Sequence, residues 1–316
     1  MKTFRSVKSL LKNLKLRNYK NTSENDFPFL VPKEFANRIK DKSPNDPLLL
    51  QVLPYPSEND SVAGYNKDPL IEADNVEKSP LLKKYSGRAL LMPTAACAIH
   101  CRYCFRRHFP YEKTTSAKQL RIALDTIRTD ESIDEVILSG GDPLMLNNRK
   151  LSRYIFEIDR IRHVKRLRIH SRIPIAMPSR IDDDFLKIMS KLLKPTILVV
   201  HANHPGEIDD QVHKTLVSLK RTGVTLLNQS VLLKNVNDNE ETLKLLSEKL
   251  FSAGVLPYYL HLLDQVHGAA HFEVSIQNAR AIEKALREML PGYLMPKFVR
   301  EIPGMKSKIP LDQIAI

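Results

Sequence analysis

From about Gly87 onward, short apolar or β-branched runs alternate with longer stretches whose apolar residues recur every three to four positions. That is the pattern of strands alternating with helices around a parallel sheet. The runs predict strands at 88–93 (RALLMP), 135–139 (EVILS), 166–171 (RLRIHS), 196–201 (TILVVH), 224–230 (VTLLNQS), 255–263 (VLPYYLHLL) and a last one near 294–300. Between them, 117–128 gathers Leu120, Ala123, Leu124 and Ile127 on one helical face, and 275–289 does the same with Ile276, Ala279, Ile282 and Leu286. Six clear βα units predict an α/β fold, an incomplete TIM-type (β/α)6 barrel over 85–302. Residues 1–84 lack the alternation and carry Pro, Asn, Asp and Ser clusters, which predicts a mostly helical and loop extension; 303–316 form a C-terminal segment.

The unusual polar residues fall at the carboxyl ends of these strands. Cys97, Cys101 and Cys104 follow the first, Gly140, Gly141 and Asp142 the second, and His170 to Arg172 the third. His201 ends the fourth, Gln229 the fifth and Asp264 the sixth. In a (β/α) barrel the loops at that face build the active site, so one ring of loops gathers these groups around one cavity.

Composition narrows the setting. Apolar residues make up 42% of the chain, and no uninterrupted apolar run approaches the roughly 18 residues of a membrane span. Against 36 acids stand 49 Lys and Arg, a net +13, which attracts acidic partners without identifying nucleic acid. The charge is dispersed apart from the first twenty residues, and no nucleic-acid module is recognisable, so an enzyme acting on RNA is the disfavoured class. Those first residues set Lys2, Arg5, Lys8, Lys12, Lys15, Arg17 and Lys20 among Leu10, Leu11, Leu14 and Leu16. This predicts a short basic amphipathic helix, read either as a solvated face packed by its leucines or as an organelle-targeting segment. A secretory signal is disfavoured for want of a continuous apolar core. The three cysteines lie within eight residues of one another, which excludes a disulfide framework and points to a reducing compartment, the cytoplasm.

The strongest chemical signal is the Cys97-x-x-x-Cys101-x-x-Cys104 spacing in CAIHCRYCFRRHFPY. Three thiolates can hold three irons of a [4Fe–4S] cluster and leave the fourth open. A closed zinc site needs a fourth ligand, which only His100 or His108 could supply here. Tyr103 and Phe105 are candidates to shield a cluster face or to pack in the core. The glycine pair 140–141 suits either a close backbone approach to a ligand or a tight turn. His201 alone reads more often as a satisfied core histidine than as a ligand; Asp264 could cap the helix that follows, and Glu301 could pair with Arg300 or Lys297 on the surface.

The cysteine segment resembles that of radical S-adenosylmethionine enzymes, and CRYCFRR is similar to the lysine 2,3-aminomutase family among them. The resemblance covers nearly the whole chain: QVLPYPSEND, GRALL, LSGGDPL, RIHSRIPIAMPSRI, HANHP, NQSVLLKNVND, PYYLHLLD and SKIPL have counterparts there in the same order. It implies a radical S-adenosylmethionine barrel in which Cys97, Cys101 and Cys104 bind the cluster, Gly140, Gly141 and Asp142 lie beside the methionine part of S-adenosylmethionine, and His201 lies near its nucleoside. It implies pyridoxal phosphate on Lys308, with Lys306 as rival, and Lys84, Tyr85, Arg88 and Gln229 around the cofactor's phosphate and ring. Arg106 is the implied ligand of the substrate α-carboxylate, and Asp264 and Glu301 those of its tail ammonium.

The implied reaction cleaves S-adenosylmethionine to a 5′-deoxyadenosyl radical, takes hydrogen from the β-carbon of L-lysine and moves the α-amino group there. The short form with HANHP and a Glu at 301 resembles the branch that supplies β-lysine, through a separate lysyl ligase, to elongation factor P. Longer relatives carry a C-terminal arm with zinc-binding cysteines, so structural zinc is not expected here. The same chemistry on glutamate or arginine is the nearest alternative, disfavoured by acids at both tail positions.

Overall fold

A computed structural model describes residues 2–16, 27–41, 43–73, 80–111 and 115–314. Nine of its strands form one sheet in the order β11-β10-β9-β8-β7-β6-β5-β4-β3. Seven of them run parallel: Arg88–Leu91 (β4), Glu135–Leu138 (β5), Arg166–Ser171 (β6), Thr196–Val200 (β7), Thr225–Val231 (β8), Leu256–His261 (β9) and Lys297–Arg300 (β10). Each lies within a few residues of a strand expected from the sequence. Leu81–Leu82 (β3) and Ile309–Pro310 (β11) close the two edges antiparallel. This open, mostly parallel sheet is the incomplete barrel.

Side-chain parity along the strands decides what faces where, because successive residues point to opposite sides. Ala89, Leu91, Val136, Leu138, Leu167, Ile169, Leu198, Val200 and Leu226 point outward into one buried cluster with the covering helices. The helices meet them with the faces read from the pattern: Leu120, Ala123, Leu124 and Ile127 of Ala117–Thr129 are all buried. In Ile276–Met289, Ala279, Ile282 and Leu286 are buried in a second cluster with Leu260 and Phe298, and Ile276 packs against it. Full burial of one such Leu or Ile is worth about 1.5–3 kcal/mol. Helix starts are fixed locally by Ser116, Asn147, Asp182, Asp209, Asn239 and Ser275, whose side chains accept from backbone N–H groups of the first turn.

The extension contains a ribbon of Thr3–Phe4 (β1) with Val31–Pro32 (β2), the helix Val7–Leu14 and two four-residue helices, Lys33–Ala36 and Pro47–Leu50. Leu10 and Leu11 are buried, with Leu14 and Leu16 packed beside them, while Lys2, Arg5, Lys8, Lys12 and Lys15 stay exposed. That matches the packed-face reading of the basic helix; Arg17 and Lys20 lie outside the described residues. The extension also grips the cysteine segment. Ile99 belongs to its apolar cluster, His100 N–H donates to Leu30 O at 2.9 Å, and Arg102 N–H to Gln51 O at 2.9 Å.

Candidate active site

The loop that follows β4 carries all three thiols, each half-buried and free. It is held by its neighbour after β5: Gly141 N–H donates to Thr94 O at 3.0 Å and Asp142 N–H to Ala96 O at 2.7 Å. A Cβ on Gly141 would stand 2.5 Å from Ala96 O, and Gly140 has φ +110°, so both positions require glycine. The close approach is thus to the cysteine loop. The Asp142 carboxylate is buried and accepts from Ser171 Oγ (2.8 Å) and the amides of Leu144 (3.0 Å), Arg172 (2.8 Å) and Ile173 (3.2 Å). Burial still raises its pKa to about 6.

Burial also pushes Cys97 well above its usual range and Cys104 to about 11, with neighbouring thiols adding repulsion. Thiolates set this close together repel one another and call for a cationic centre between them, which fits an iron–sulfur cluster. Of the two histidines that could complete a zinc site, His100 Nδ1 lies 3.0 Å from Pro28 O and His108 Nε2 lies 3.2 Å from His267 O, so each has one ring nitrogen engaged by backbone. Among the described residues no three His, Cys, Asp or Glu converge on one ion, whereas a cluster spreads its thiolates over separate irons.

Arg172, buried, ties this loop to the rest. Its Nη1 donates to Cys101 Sγ at 2.6 Å and to Tyr103 Oη, and its Nη2 to Gln51 Oε1 at 2.7 Å and Glu207 Oε2 at 3.1 Å. Tyr103 therefore sits beside the thiols by hydrogen bonds, also accepting from Asn203 Nδ2 at 2.6 Å. Phe105 lies under the Arg106 guanidinium, 4.8 Å from ring centroid to Cζ. The HANHP and NQSVLLKNVND stretches interlock behind His201: Asn228 Oδ1 accepts from Ala202 N–H at 2.9 Å, and Asn237 Nδ2 donates to Asn203 O at 2.9 Å.

The inner face of the sheet carries polar groups among apolar ones, set by the same parity that made the outer face apolar. Arg88, Glu135, Arg168, His170, His201, Gln229, Tyr259, His261 and Glu301 alternate with the outward residues. His170 and His201 stand 5.7 Å apart, ring to ring. Nε2 of His170, His201 and His261 and Oδ1 of Asp264 are enclosed without a hydrogen-bond partner among the described residues. Burial lowers all three histidines, His201 to about 4, so they are neutral at pH 7. Orphaned polar atoms around a shared interior are what a polar ligand would satisfy, which fits S-adenosylmethionine and pyridoxal phosphate.

Toward the C-terminal edge the charges gather. Among the described residues Glu301 accepts from Lys84 Nζ at 2.6 Å and from Lys308 Nζ, and pairs neither with Arg300, which lies 3.9 Å from Glu273, nor with Lys297. Burial opposes its ionisation but the two lysines outweigh it and hold it down to about 2. Asp264 is no helix cap, since Ser275 caps Ile276–Met289; burial, then the charge of Glu301, raises it to about 7. Tyr85 bonds Glu301 and carries the Arg88 guanidinium 5.3 Å above its ring, while Arg88 Nε lies 3.9 Å from Glu135. Gln229 sits half-buried opposite Tyr259, just past a register shift between Asn228 and Gln229. Lys308 Nζ lies 5.8 Å from the centre of the Tyr259 ring, whereas Lys306 is exposed.

Arg106 is buried and donates from Nε to Glu72 Oε2 at 2.8 Å, and Glu72 also accepts from Lys84 at 3.2 Å. Glu72 lies in the aperiodic extension and had no sequence signal. Arg168, Tyr259 and His261 were also missed, although alternation with Leu167, Ile169, Leu260 and Leu262 marks them as inward-facing polar residues.

Residues 91–246 match the model of the Radical SAM superfamily. A protein of Escherichia coli strain K12 named L-lysine 2,3-aminomutase is 47% identical over 287 residues, 90% of this chain and 84% of that one. One of the same name from Haemophilus influenzae is 46% identical over 89% of this chain and 84% of its own length. Among solved structures, Streptococcus suis SuiB bound to its precursor peptide SuiA superposes with a TM-score of 0.52 at 13% identity, over 72% of this chain and 51% of that chain, which bears on the fold alone. With its cysteine loop at the carboxyl end of the first parallel strand and these relatives along nearly its whole length, the chain belongs to the lysine 2,3-aminomutase family of radical S-adenosylmethionine enzymes.

Proposed function

We propose that the protein is an isomerase that converts L-lysine to β-lysine by moving the amino group from carbon 2 to carbon 3, with pyridoxal phosphate as its second organic cofactor. The observation that carries this reading is the meeting of Arg106, Asp264, Glu301 and Lys308 around one interior, a cation for a carboxylate and two acids for an ammonium beside a lysine nucleophile. The two relatives above that carry the name L-lysine 2,3-aminomutase support it.

When bound, the cluster with S-adenosylmethionine supplies radical chemistry at an unactivated carbon, and pyridoxal phosphate supplies a carbonyl that takes up an amino group. Cys97, Cys101 and Cys104 are assigned to the cluster. Gly140 and Gly141 hold the cysteine loop against the next strand, and Asp142 fixes the start of the following segment, so their contribution to S-adenosylmethionine binding is to shape its bed; His201 offers it an unpaired ring nitrogen. Lys308 is assigned to pyridoxal because it is turned inward where Lys306 is exposed. Lys84, Tyr85, Arg88 and Gln229 are assigned to the phosphate and ring, two cations and two hydrogen-bonding groups, of which Arg88 is exposed and the other three half-buried.

Asp264 and Glu301 repel each other when both ionised, and a substrate ammonium between them relieves that repulsion. Lys308, once engaged elsewhere, leaves Glu301 Oε2 open to such an ammonium while Lys84 keeps Oε1. Glutamate has no cation to offer this pair. The family branch with HANHP and Glu301 supports delivery of the product to elongation factor P through a separate ligase, and no helix among the described residues is long and apolar enough to cross a membrane.

A substrate panel tests the reading. Reconstituted protein given L-lysine, L-arginine or L-glutamate in separate anaerobic reactions should form a β-amino acid from lysine alone; product from arginine or glutamate instead would reassign the tail-binding pair.

A further inference from the structure

The segment that delivers Glu72 is built as a latch. Asn66 N–H donates to Gln265 O at 3.0 Å and His267 N–H to Asn66 O at 2.7 Å, which fastens the turn to the loop after β9, the loop that carries Asp264. The Asp68 carboxylate accepts from the amides of Glu72 (3.0 Å) and Ala73 (2.9 Å). Between them Ile71 sits at φ 53°, in the left-handed region that a β-branched side chain avoids, and its own side chain is 61% exposed. That conformation is not repaid by burying Ile71. It turns Leu70 and Glu72 inward instead, and Glu72 ends 6% exposed against Arg106.

The pairing uses only one edge of the guanidinium. Arg106 gives Nε to Glu72 Oε2 at 2.8 Å, and no hydrogen bond from its Nη1 or Nη2 to another described residue is seen. Lys84 holds the other oxygen of Glu72 at 3.2 Å, so the carboxylate is itself fixed in direction. A guanidinium can be bidentate along more than one edge, and the Nη1–Nη2 end remains for a second carboxylate.

We infer that Glu72 is a positioning residue: by clamping Arg106 through Nε it orients the Nη1–Nη2 end to receive the α-carboxylate of the amino-acid substrate. The inference rests on the assignment of Arg106 to that carboxylate. Arg106 unclamped would have to order its side chain on binding, at an entropic cost that falls on substrates bearing a carboxylate and spares those without one.

Calorimetric titration of the reconstituted protein with L-lysine and with 1,5-diaminopentane, which keeps both nitrogens and lacks the carboxylate, separates the possibilities. Glu72→Ala should weaken L-lysine about tenfold, the loss of one oriented charge-assisted contact, and 1,5-diaminopentane less than about twofold, with Glu72→Gln between wild type and Ala. In turnover the same loss should appear in KM while kcat holds. Equal weakening of both ligands would mean a merely structural role, and tighter lysine binding in Glu72→Ala would mean that Glu72 competes with the substrate; either overturns the inference. Arg106→Gln is the control. If it leaves the preference for lysine over 1,5-diaminopentane unchanged, the assignment of Arg106 fails and this inference with it; if that preference collapses while Glu72→Ala keeps it, only the inference on Glu72 falls.

Discussion

Glu301 and Lys308, seven positions apart, meet as an ion pair because β11 folds back on β10, setting Ile309 opposite Arg300 in antiparallel register. Glu301 follows an outward Arg300 and so faces the interior; Lys308 precedes Ile309 and faces the same way. The edge strand, only two residues long, thereby decides which lysine of GMKSKIPL reaches the cavity.

Lys308→Ala should abolish the covalent, borohydride-reducible attachment of pyridoxal while leaving iron content unchanged, and Lys306→Ala should keep both. Mass mapping of the reduced adduct checks this. An adduct retained in Lys308→Ala would move the attachment elsewhere.

Asp264 should report its burial through pH. Its folded pKa of about 7 lies above the ordinary 3.8, so folding favours the neutral acid. That contribution is fully present below about pH 4 and is lost as pH rises through about 7. Asp264→Asn, which stays neutral, should therefore stabilise the cofactor-free protein at pH 8 by on the order of 1–2 kcal/mol, read as a raised melting temperature, and leave it unchanged at pH 4. Glu301 has the opposite sign: its stabilising pairs persist until the pH falls toward about 2. Melting curves of the two proteins at both pH values decide it.

Gly141→Ala should damage the cysteine loop specifically. The added methyl meets Ala96 O at 2.5 Å, so either loop must shift, at a cost of about 1–3 kcal/mol. Iron bound after anaerobic reconstitution should fall by more than half relative to wild type; full loading would mean the loops separate freely.

Cys101→Ala should remove the cluster and spare the fold, because Arg172 keeps Gln51 and Glu207 when Sγ is lost. Iron should be absent while the melting temperature of the cofactor-free protein stays within about 4 °C of wild type. Near-normal iron in this variant would contradict the assignment of the three thiols.

Much of this architecture was legible because two signals are local. The period of Leu120, Ala123, Leu124 and Ile127 states a helix and its buried face, and the parallel strands are short apolar runs bounded by turns. The cysteine spacing is local too. What sequence hid was pairing at a distance. Glu72 and Arg106 are 34 residues apart, and Arg172 and Cys101 are 71 apart, so neither contact leaves a periodic trace. Asp264 read equally as a helix cap, since only the fold tells that Ser275 already holds that place. The glycine pair read as an approach to a ligand or a turn, and its neighbour is the backbone of Thr94 to Ala96.

The most direct test of the central claim follows nitrogen through the reaction. Reconstituted protein is incubated anaerobically with S-adenosylmethionine, pyridoxal phosphate, a strong reductant and L-lysine carrying ¹⁵N at the α-amino group and ¹³C in its backbone, diluted with unlabelled lysine, and the products are read by NMR. The account predicts β-lysine with ¹⁵N bonded to carbon 3 of the same labelled molecule. Unchanged lysine in the presence of intact cluster and bound pyridoxal, or ¹⁵N dispersed into unlabelled molecules, would contradict it.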